Sequence, residues 1–179
     1  KAGRDEDAWA VGKPSENVVI RRCQTRRGHG GVALGSEMSA GIRNVFVHDC
    51  RFEGTDRGIR IKSLPGRGGF VENVWFQDLA MDRIAGAAVH VTFRYSKPDS
   101  QTRRQPLFKN IQIRRLTCAQ AKRAVELQGL AENAIQDFSL EDASITAKLG
   151  VSAEYVRGLR LTRVNLCVGS GPLFRIFNG

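Results

Sequence analysis

The chain has 179 residues, of which 41% are hydrophobic, so it is long enough and apolar enough to form one domain with a sizeable core. It carries 28 Lys and Arg against 18 Asp and Glu, and the resulting net charge of +10 favours anionic partners such as acidic polysaccharide, nucleic acid or anionic lipid. No run approaches the roughly 18 apolar residues that a membrane helix requires, and no nucleic-acid-reading motif is visible, so neither a membrane span nor nucleic-acid binding is predicted.

Six copies of one short motif follow each other along the chain. Each copy has an anchor residue and then alternating apolar residues; the anchors are Asn17, Asn44, Asn73, Asn110, Asp137 and Gly158. A second apolar run begins 14 to 16 residues after each anchor, at Val32, Ile59, Val89, Val125, Val151 and Leu173. Alternation with period two predicts strands, and a constant inner spacing with variable outer loops is typical of a solenoid. We therefore predict an all-β, single-stranded parallel β-helix of about six coils over residues 1–179.

The anchors and the chain ends carry two further expectations. The Asn column is compatible with an amide ladder between coils or with simple turn chemistry, and turns with local hydrogen bonds are favoured because Asn suits the bend before a strand. Residues 1–3 occupy the place of a strand end, and neither terminus offers an obvious polar cap. We therefore expect a solenoid truncated at both ends, the C-terminal part of a longer protein.

The four cysteines are expected to be structural. Cys23 and Cys50 lie six residues after their anchors and Cys118 lies eight after its own, in columns that are otherwise mostly apolar. Because a free Cys behaves as a small buried hydrophobe, we expect core packing and not disulfides for these three; Cys167 has no specific interpretation. No Cys/His spacing suggests zinc, so neither a metal nor a cofactor is predicted.

The outward positions of the second strands form one strip along the solenoid. In chain order the outward pairs are Ala33/Gly35, Arg60/Lys62, His90/Thr92 and Glu126/Gln128. The two small residues predict a recess beside two cations, and His29, between two glycines, is expected at its edge. The loops at 65–69 and 97–100 are expected to flank this strip.

At these residues the sequence resembles glycoside hydrolase family 28, the polygalacturonases and their relatives. The resemblance is carried by GHGGVALGSEM at 28–38 and GTDRGIRIK at 54–62, and KAGRDED at 1–7 resembles the segment after the paired-Asp motif of bacterial members. It implies a right-handed parallel β-helix that hydrolyses the α-1,4-galacturonosidic bonds of pectic polygalacturonan with inversion. It also implies that His29 is the active-site histidine that supports the catalytic carboxylates, and that Arg60 and Lys62 bind the sugar carboxylate.

The chemistry of that reaction suits these residue types. Inversion needs two carboxyl groups, an imidazole can exchange protons with them near neutral pH, and Arg and Lys suit a substrate with one carboxylate per sugar. The family's acids lie in Asn-x-Asp and Asp-Asp motifs, and neither occurs in this chain. We therefore expect the isolated fragment to be inactive. The resemblance further implies an acidic polysaccharide partner, a monomer, and a secreted or periplasmic location.

Several of these residues also have plainer interpretations. His29 could be an ordinary turn residue, and Arg60 and Lys62 could be solvated charges on a strand. Asp56 reads as part of a tight turn, and Asp5 and Asp7 are expected in a solvated or subsite-lining loop.

Tyr95, His48 and His90 carry less specific predictions. Tyr95 could stack on a sugar or pack at the edge of the core, and these alternatives stay open. His48 and His90 are expected at the surface.

Other functions are compatible with the same features. The main alternative is a non-catalytic, acidic-polysaccharide-binding β-helix. A lyase that uses Arg60 with calcium is disfavoured because no carboxylate cluster is visible, and nucleic-acid binding ranks last because a reading element is missing.

Overall fold

The computed structural model describes residues 2–96 and 104–178. One short helix precedes the strands, and every strand pair is parallel. The elements are α1 (Asp5–Val11), β1 (Ser15–Arg21), β2 (Gln24–Arg26), β3 (Val32–Leu34), β4 (Ile42–Glu53), β5 (Ile59–Lys62), β6 (Phe70–Asp82), β7 (Ile84–Thr92), β8 (Leu107–Gln128), β9 (Ile135–Glu154), β10 (Val156–Arg157), β11 (Arg160–Val168) and β12 (Phe174–Phe177).

The six coils stack in the predicted register. Val45 pairs with Val18 below it and with Val74 above it, and the same column continues through Ile111 and Phe138. The right-handed parallel β-helix is thus confirmed. The predicted start of the second run in the last coil was wrong by one residue, since Phe174 and not Leu173 pairs with Val151.

Each coil has three faces, whereas the sequence predicted two strands per coil. The first sheet holds 15–21, 42–48, 70–77, 107–114, 135–141, 156–157 and 160–162. The second sheet holds 24–26, 50–53, 79–82, 116–118, 143–147 and 164–168. The front sheet holds 32–34, 59–62, 89–92, 125–128, 151–154 and 174–177. The second sheet was missed because β4, β6, β8 and β9 run through the bend without a break, so no loop signal separates its short segments.

The bend into the second sheet, and the anchor before it, both use left-handed backbone. The six anchors have φ between 53° and 72°. The residues five positions after each anchor also have positive φ, between 51° and 54°. Asn, Asp and Gly tolerate this conformation best, which explains the anchor column. The prediction of turns with local hydrogen bonds was incomplete, because the side-chain amides of the anchors also form a ladder between coils. The donors and acceptors are Asn44 to Asn17 (3.1 Å), Asn73 to Asn44 (3.5 Å) and Asn110 to Asn73 (2.7 Å).

The core is a continuous stack of aliphatic and aromatic side chains between the three sheets. Phe52, Phe76 and Ile113 are at most 1% exposed. Cys50 and Cys118 are buried as predicted, and all four cysteines are free thiols. The prediction for Cys23 was wrong, since it is exposed; it lies in the first coil, which has a neighbouring coil on one side only within the described structure.

The amino-terminal residues form a helix where a loop was expected. Asp5 opens α1, its backbone N–H donates to Ser39 Oγ (2.8 Å), and its carboxylate lies 3.5 Å from the buried Arg67. Trp9 of the same helix donates its indole N–H to the carbonyl of Arg67 (3.2 Å), so α1 packs on the loop at 65–69. The second predicted flanking loop, 97–100, lies outside the described residues. Within the described part of the chain, no helix is both long and apolar enough to cross a membrane.

Candidate functional site

The outward side chains of the front sheet form two columns along the solenoid, as predicted except for Gly35, which follows the end of β3 with φ +83°. The first column is Ala33, Arg60, His90, Glu126 and Ser152, and the second is Lys62, Thr92, Gln128 and Glu154. Their inward neighbours, such as Ile59 and Ile61, are fully buried. The alternation of β-strand side chains therefore holds both columns on a rigid surface.

The loop that carries His29 is shaped by two of its glycines. Gly28 has φ +115°, a conformation that side chains rarely adopt, and Gly31 lies so close to Phe52 that a Cβ would meet the ring at 2.2 Å. The loop is also hydrogen-bonded to the next coil, because Asp56 N donates to the carbonyl of Gly28 (2.8 Å) and Gly31 N donates to that of Gly58 (2.9 Å). The sequence thus builds a fixed, closely packed turn directly before the front strand.

His29 itself projects from this turn and is exposed. Its carbonyl accepts a hydrogen bond from Arg60 Nη1 at 3.4 Å, so the His29 backbone and the Arg60 guanidinium are neighbours. Beside them Ala33 adds only a methyl group, and the next residue but one is Gly35. Small residues therefore lie next to His29 and Arg60, and the recess itself stays a prediction.

Arg60 and Lys62 gather around one aromatic ring. Lys62 Nζ lies 4.0 Å and Arg60 Cζ 5.7 Å from the ring centroid of Tyr95, which is 40% exposed. Across the described residues, no carboxylate lies within ion-pair distance of either cation. Within the described structure the site thus offers two positive charges without a carboxylate partner and an accessible aromatic face, and cation–π contacts hold the three groups together.

The next two coils carry a hydrogen-bonded polar cluster. His90 Nε2 lies 3.5 Å from both Glu126 Oε2 and Gln128 Oε1, and Thr92 Oγ1 donates to Gln128 Oε1 at 2.8 Å. The prediction of a surface position for His90 was wrong, since it is only 8% exposed; the longer side chains stacked on either side, Arg60 and Glu126, cover it. Burial lowers the pKa of His90, against the opposing effect of the Glu126 carboxylate, and so favours the neutral form of its ring.

The acidic residues of this face are ion-paired, in contrast to the cations. Glu126 lies 3.4 Å from Arg123 Nε, and Glu154 lies 2.7 Å from Arg94 Nη1. The hydrogen bond from Arg94 lowers the pKa of Glu154. The front face is therefore cationic around Arg60 and locally neutralised beyond Thr92.

The remaining acidic candidates do not join this surface as a cluster. Asp56 accepts a hydrogen bond from Arg57 Nη1 (2.8 Å), in keeping with a turn residue. No group of three or more His, Cys, Asp or Glu side chains among the described residues is arranged to hold a metal ion.

Comparison with known proteins identifies the family. The profile described as Glycosyl hydrolases family 28 matches residues 2–163, nearly the whole chain. The chain belongs to this family. It is 31% identical over 149 residues to a probable polygalacturonase of Vitis vinifera, an alignment that covers 81% of this chain and 30% of the relative. It is 38% identical over 95 residues to an exo-poly-alpha-D-galacturonosidase of Dickeya chrysanthemi, covering 53% of this chain and 16% of that protein.

Two solved structures of exopolygalacturonases have the same fold. A hyperthermoactive exopolygalacturonase from Thermotoga maritima superposes with a TM-score of 0.89 at 29% identity, covering 97% of this chain and 39% of the other. A family 28 exopolygalacturonase from Yersinia enterocolitica gives 0.81 at 19% identity, covering 98% of this chain and 32% of the other, a likeness of fold alone. The chain thus spans between about a sixth and two fifths of the length of these relatives.

Proposed function

We propose that the front sheet binds the galacturonate units of pectic polygalacturonan, as part of an inverting glycoside hydrolase. The observation that carries the proposal is the pair Arg60 and Lys62, which lie on one strand around Tyr95 without a carboxylate partner in the described structure. Membership of family 28, and relatives named polygalacturonase, support the same substrate class. Since pectin is an extracellular polymer, we expect the full-length protein to act outside the cytoplasm.

The three side chains would bind different parts of one sugar unit. The guanidinium of Arg60 is a planar fork that matches a carboxylate, and the ammonium of Lys62 adds a point charge beside it. The exposed ring of Tyr95 offers an apolar face against which the C–H surface of a pyranose can pack, while its hydroxyl remains available to donate a hydrogen bond. Because the carboxylate meets two cations that have no acidic partner among the described residues, an unesterified galacturonate is favoured over a neutral sugar.

Hydrolysis itself would need groups that this chain does not supply. Inversion requires one carboxyl group that protonates the leaving oxygen and a second, about 6.5–9.5 Å away, that activates water. We propose that these acids belong to parts of the parent protein outside these 179 residues, because the chain contains neither an Asp-Asp pair nor an Asn-x-Asp motif. His29 would then act at the edge of the recess by exchanging a proton with one of them.

The binding half of the proposal is testable on the chain alone. Isothermal titration with trigalacturonate would compare the wild-type chain with R60A/K62A and with K109A/K122A, a control that removes the same charge from exposed lysines outside the front sheet. We expect R60A/K62A to weaken binding by at least about tenfold, since it removes two charge-assisted contacts, and the control to weaken it less than about twofold. Equal losses in both double variants would refute a specific site and leave only attraction by the net charge.

The catalytic half requires the full-length parent. We expect the parent to hydrolyse polygalacturonate with inversion at the anomeric carbon, and NMR of the first product would report its anomeric configuration. We expect the isolated chain to show no turnover. Strong turnover by the isolated chain would contradict the placement of the acids. Binding without turnover by the parent would instead support a non-catalytic polysaccharide-binding β-helix.

A further inference from the structure

Cys23 and Cys50 are direct neighbours in adjacent coils. The residues that follow them, Gln24 and Arg51, are register partners, and Arg51 N donates to the carbonyl of Cys23 at 2.9 Å. Parallel strands lie about 4.8 Å apart, and disulfides join Cα atoms roughly 4.4–6.8 Å apart. The backbone spacing at this pair therefore lies within the range of a disulfide.

The two thiols also point to the same side of the sheet. Cys23 Sγ donates to the carbonyl of Arg21 (3.3 Å), and Cys50 Sγ makes the equivalent contact with the carbonyl of His48 (3.2 Å). Cys50 Sγ further lies 3.8 Å from the carbonyl of Ile20, in the coil of Cys23, so it reaches toward the neighbouring coil. Burial raises the pKa of Cys50.

The other two cysteines have no such neighbour. In the stacked register Cys118 lies between Met81 and Ile145, and Cys167 pairs with Thr146. They provide an internal control, because Cys118 is buried like Cys50 and Cys167 is exposed like Cys23.

We propose that Cys23 and Cys50 are an oxidation site and form a disulfide with each other between the two coils. The oxidant is a small-molecule disulfide or the disulfide of an oxidoreductase. In this 179-residue chain Cys23 is exposed, and its thiolate attacks the oxidant, which forms a mixed disulfide and releases one thiol. The Cys50 thiolate then attacks Cys23 Sγ and releases the second thiol. Two protein thiols lose two protons and two electrons, and the oxidant gains them as it becomes two thiols.

The bond would close a loop around the site described above. Residues 23–50 contain the His29 turn and β3, so the disulfide would join both ends of this segment at the start of the second sheet. Closing the loop removes conformational freedom from the unfolded chain, and we expect the oxidised form to resist unfolding more than the reduced form. This inference is independent of the proposed substrate.

The test uses the chain in a C118A/C167S background, in which Cys23 and Cys50 are the only cysteines. The reduced protein is incubated with oxidised glutathione, quenched with acid and measured by intact mass and thiol titration in denaturant. We expect the loss of two hydrogen masses and of both thiols, without bound glutathione. With C50S added, the attack by Cys50 is impossible, so Cys23 should retain one glutathione; with C23S added, the buried Cys50 should stay a thiol.

Three results would overturn the proposal: both thiols remain free, glutathione stays on Cys23 although Cys50 is present, or Cys23 links two chains. Peptide mapping of the oxidised wild-type chain gives a second readout that needs no substitution. The peptide 23–26 should be linked to the peptide 44–51, and a link to Cys118 or Cys167 instead would contradict the inter-coil pairing.

Discussion

The amide ladder predicts an unusual order of stability at one anchor. Asn73 is an interior rung: it has φ +53°, accepts a hydrogen bond from Asn110 at 2.7 Å and donates one to Asn44 at 3.5 Å. We expect Asn73→Ala to be less stable than Asn73→Gly, although Gly in a strand is ordinarily the weaker residue. The reversal follows because only Gly adopts the left-handed backbone without strain.

The size of the effect can be worked out from these contacts. The short hydrogen bond to Asn110 is worth about 1 kcal/mol net, and the longer one to Asn44 contributes less. Placing an alanine at positive φ adds about 1 kcal/mol. Asn73→Ala should therefore lower the free energy of unfolding by about 2 kcal/mol, and Asn73→Gly by roughly 1 kcal/mol.

Urea unfolding followed by far-ultraviolet circular dichroism measures both values. Lys109→Ala serves as the control, since it is an exposed strand residue beside the ladder and should change the free energy of unfolding by less than about 0.5 kcal/mol. If Asn73→Ala unfolds at the same or a higher urea concentration than Asn73→Gly, the left-handed anchor is not the source of strain. If both match the wild type, the ladder contributes nothing.

Two further changes test the site loop and the ion pairs. Gly31→Ala should destabilise the fold by about 2 kcal/mol and disturb the His29 turn, because the added Cβ would lie 2.2 Å from the Phe52 ring; an unchanged melting temperature would contradict this packing. Arg115 lowers the pKa of Asp78 to about 2 through hydrogen bonds of 2.6 and 2.8 Å. A lowered folded pKa means that stability is present above about pH 4 and is lost as the pH falls through 2. Because both groups are solvent-exposed, screening limits this loss in the free energy of unfolding to about 1 kcal/mol or less. Asp78→Asn should make the loss smaller, as measured by unfolding curves between those pH values.

Much of the fold was predictable because its information is local. The alternation along each strand places Ile59 and Ile61 inside and Arg60 outside, whatever the rest of the chain does. The six nearly equal spacings then bring Ala33, Arg60 and His90 into one column, since a coil that returns after one turn must pair in phase. The resemblance to family 28, carried by the motifs around His29 and Arg60, followed from the same short segments and was confirmed.

The missed features depend on what covers a residue, and this is not local. Cys23 and Cys50 occupy the same position in their motifs, yet one is exposed and one is buried, because the number of flanking coils differs. His90 has the outward parity of a surface residue, but Arg60 and Glu126 cover it from neighbouring coils. The second sheet was missed for a related reason, since left-handed residues turn the chain inside long strands without any loop.

By itself, the sequence determined the solenoid, its register and the pair of cations, since side-chain parity and repeat spacing depend only on neighbours along the chain. The tertiary structure alone decided which groups meet. It brought Tyr95 to 4.0 Å from Lys62, bound the Arg60 guanidinium to the carbonyl of His29, and paired Glu126 and Glu154 with arginines while it left Arg60 and Lys62 unpaired in the described structure. These contacts join different coils, and their geometry depends on how each loop returns the chain to the stack.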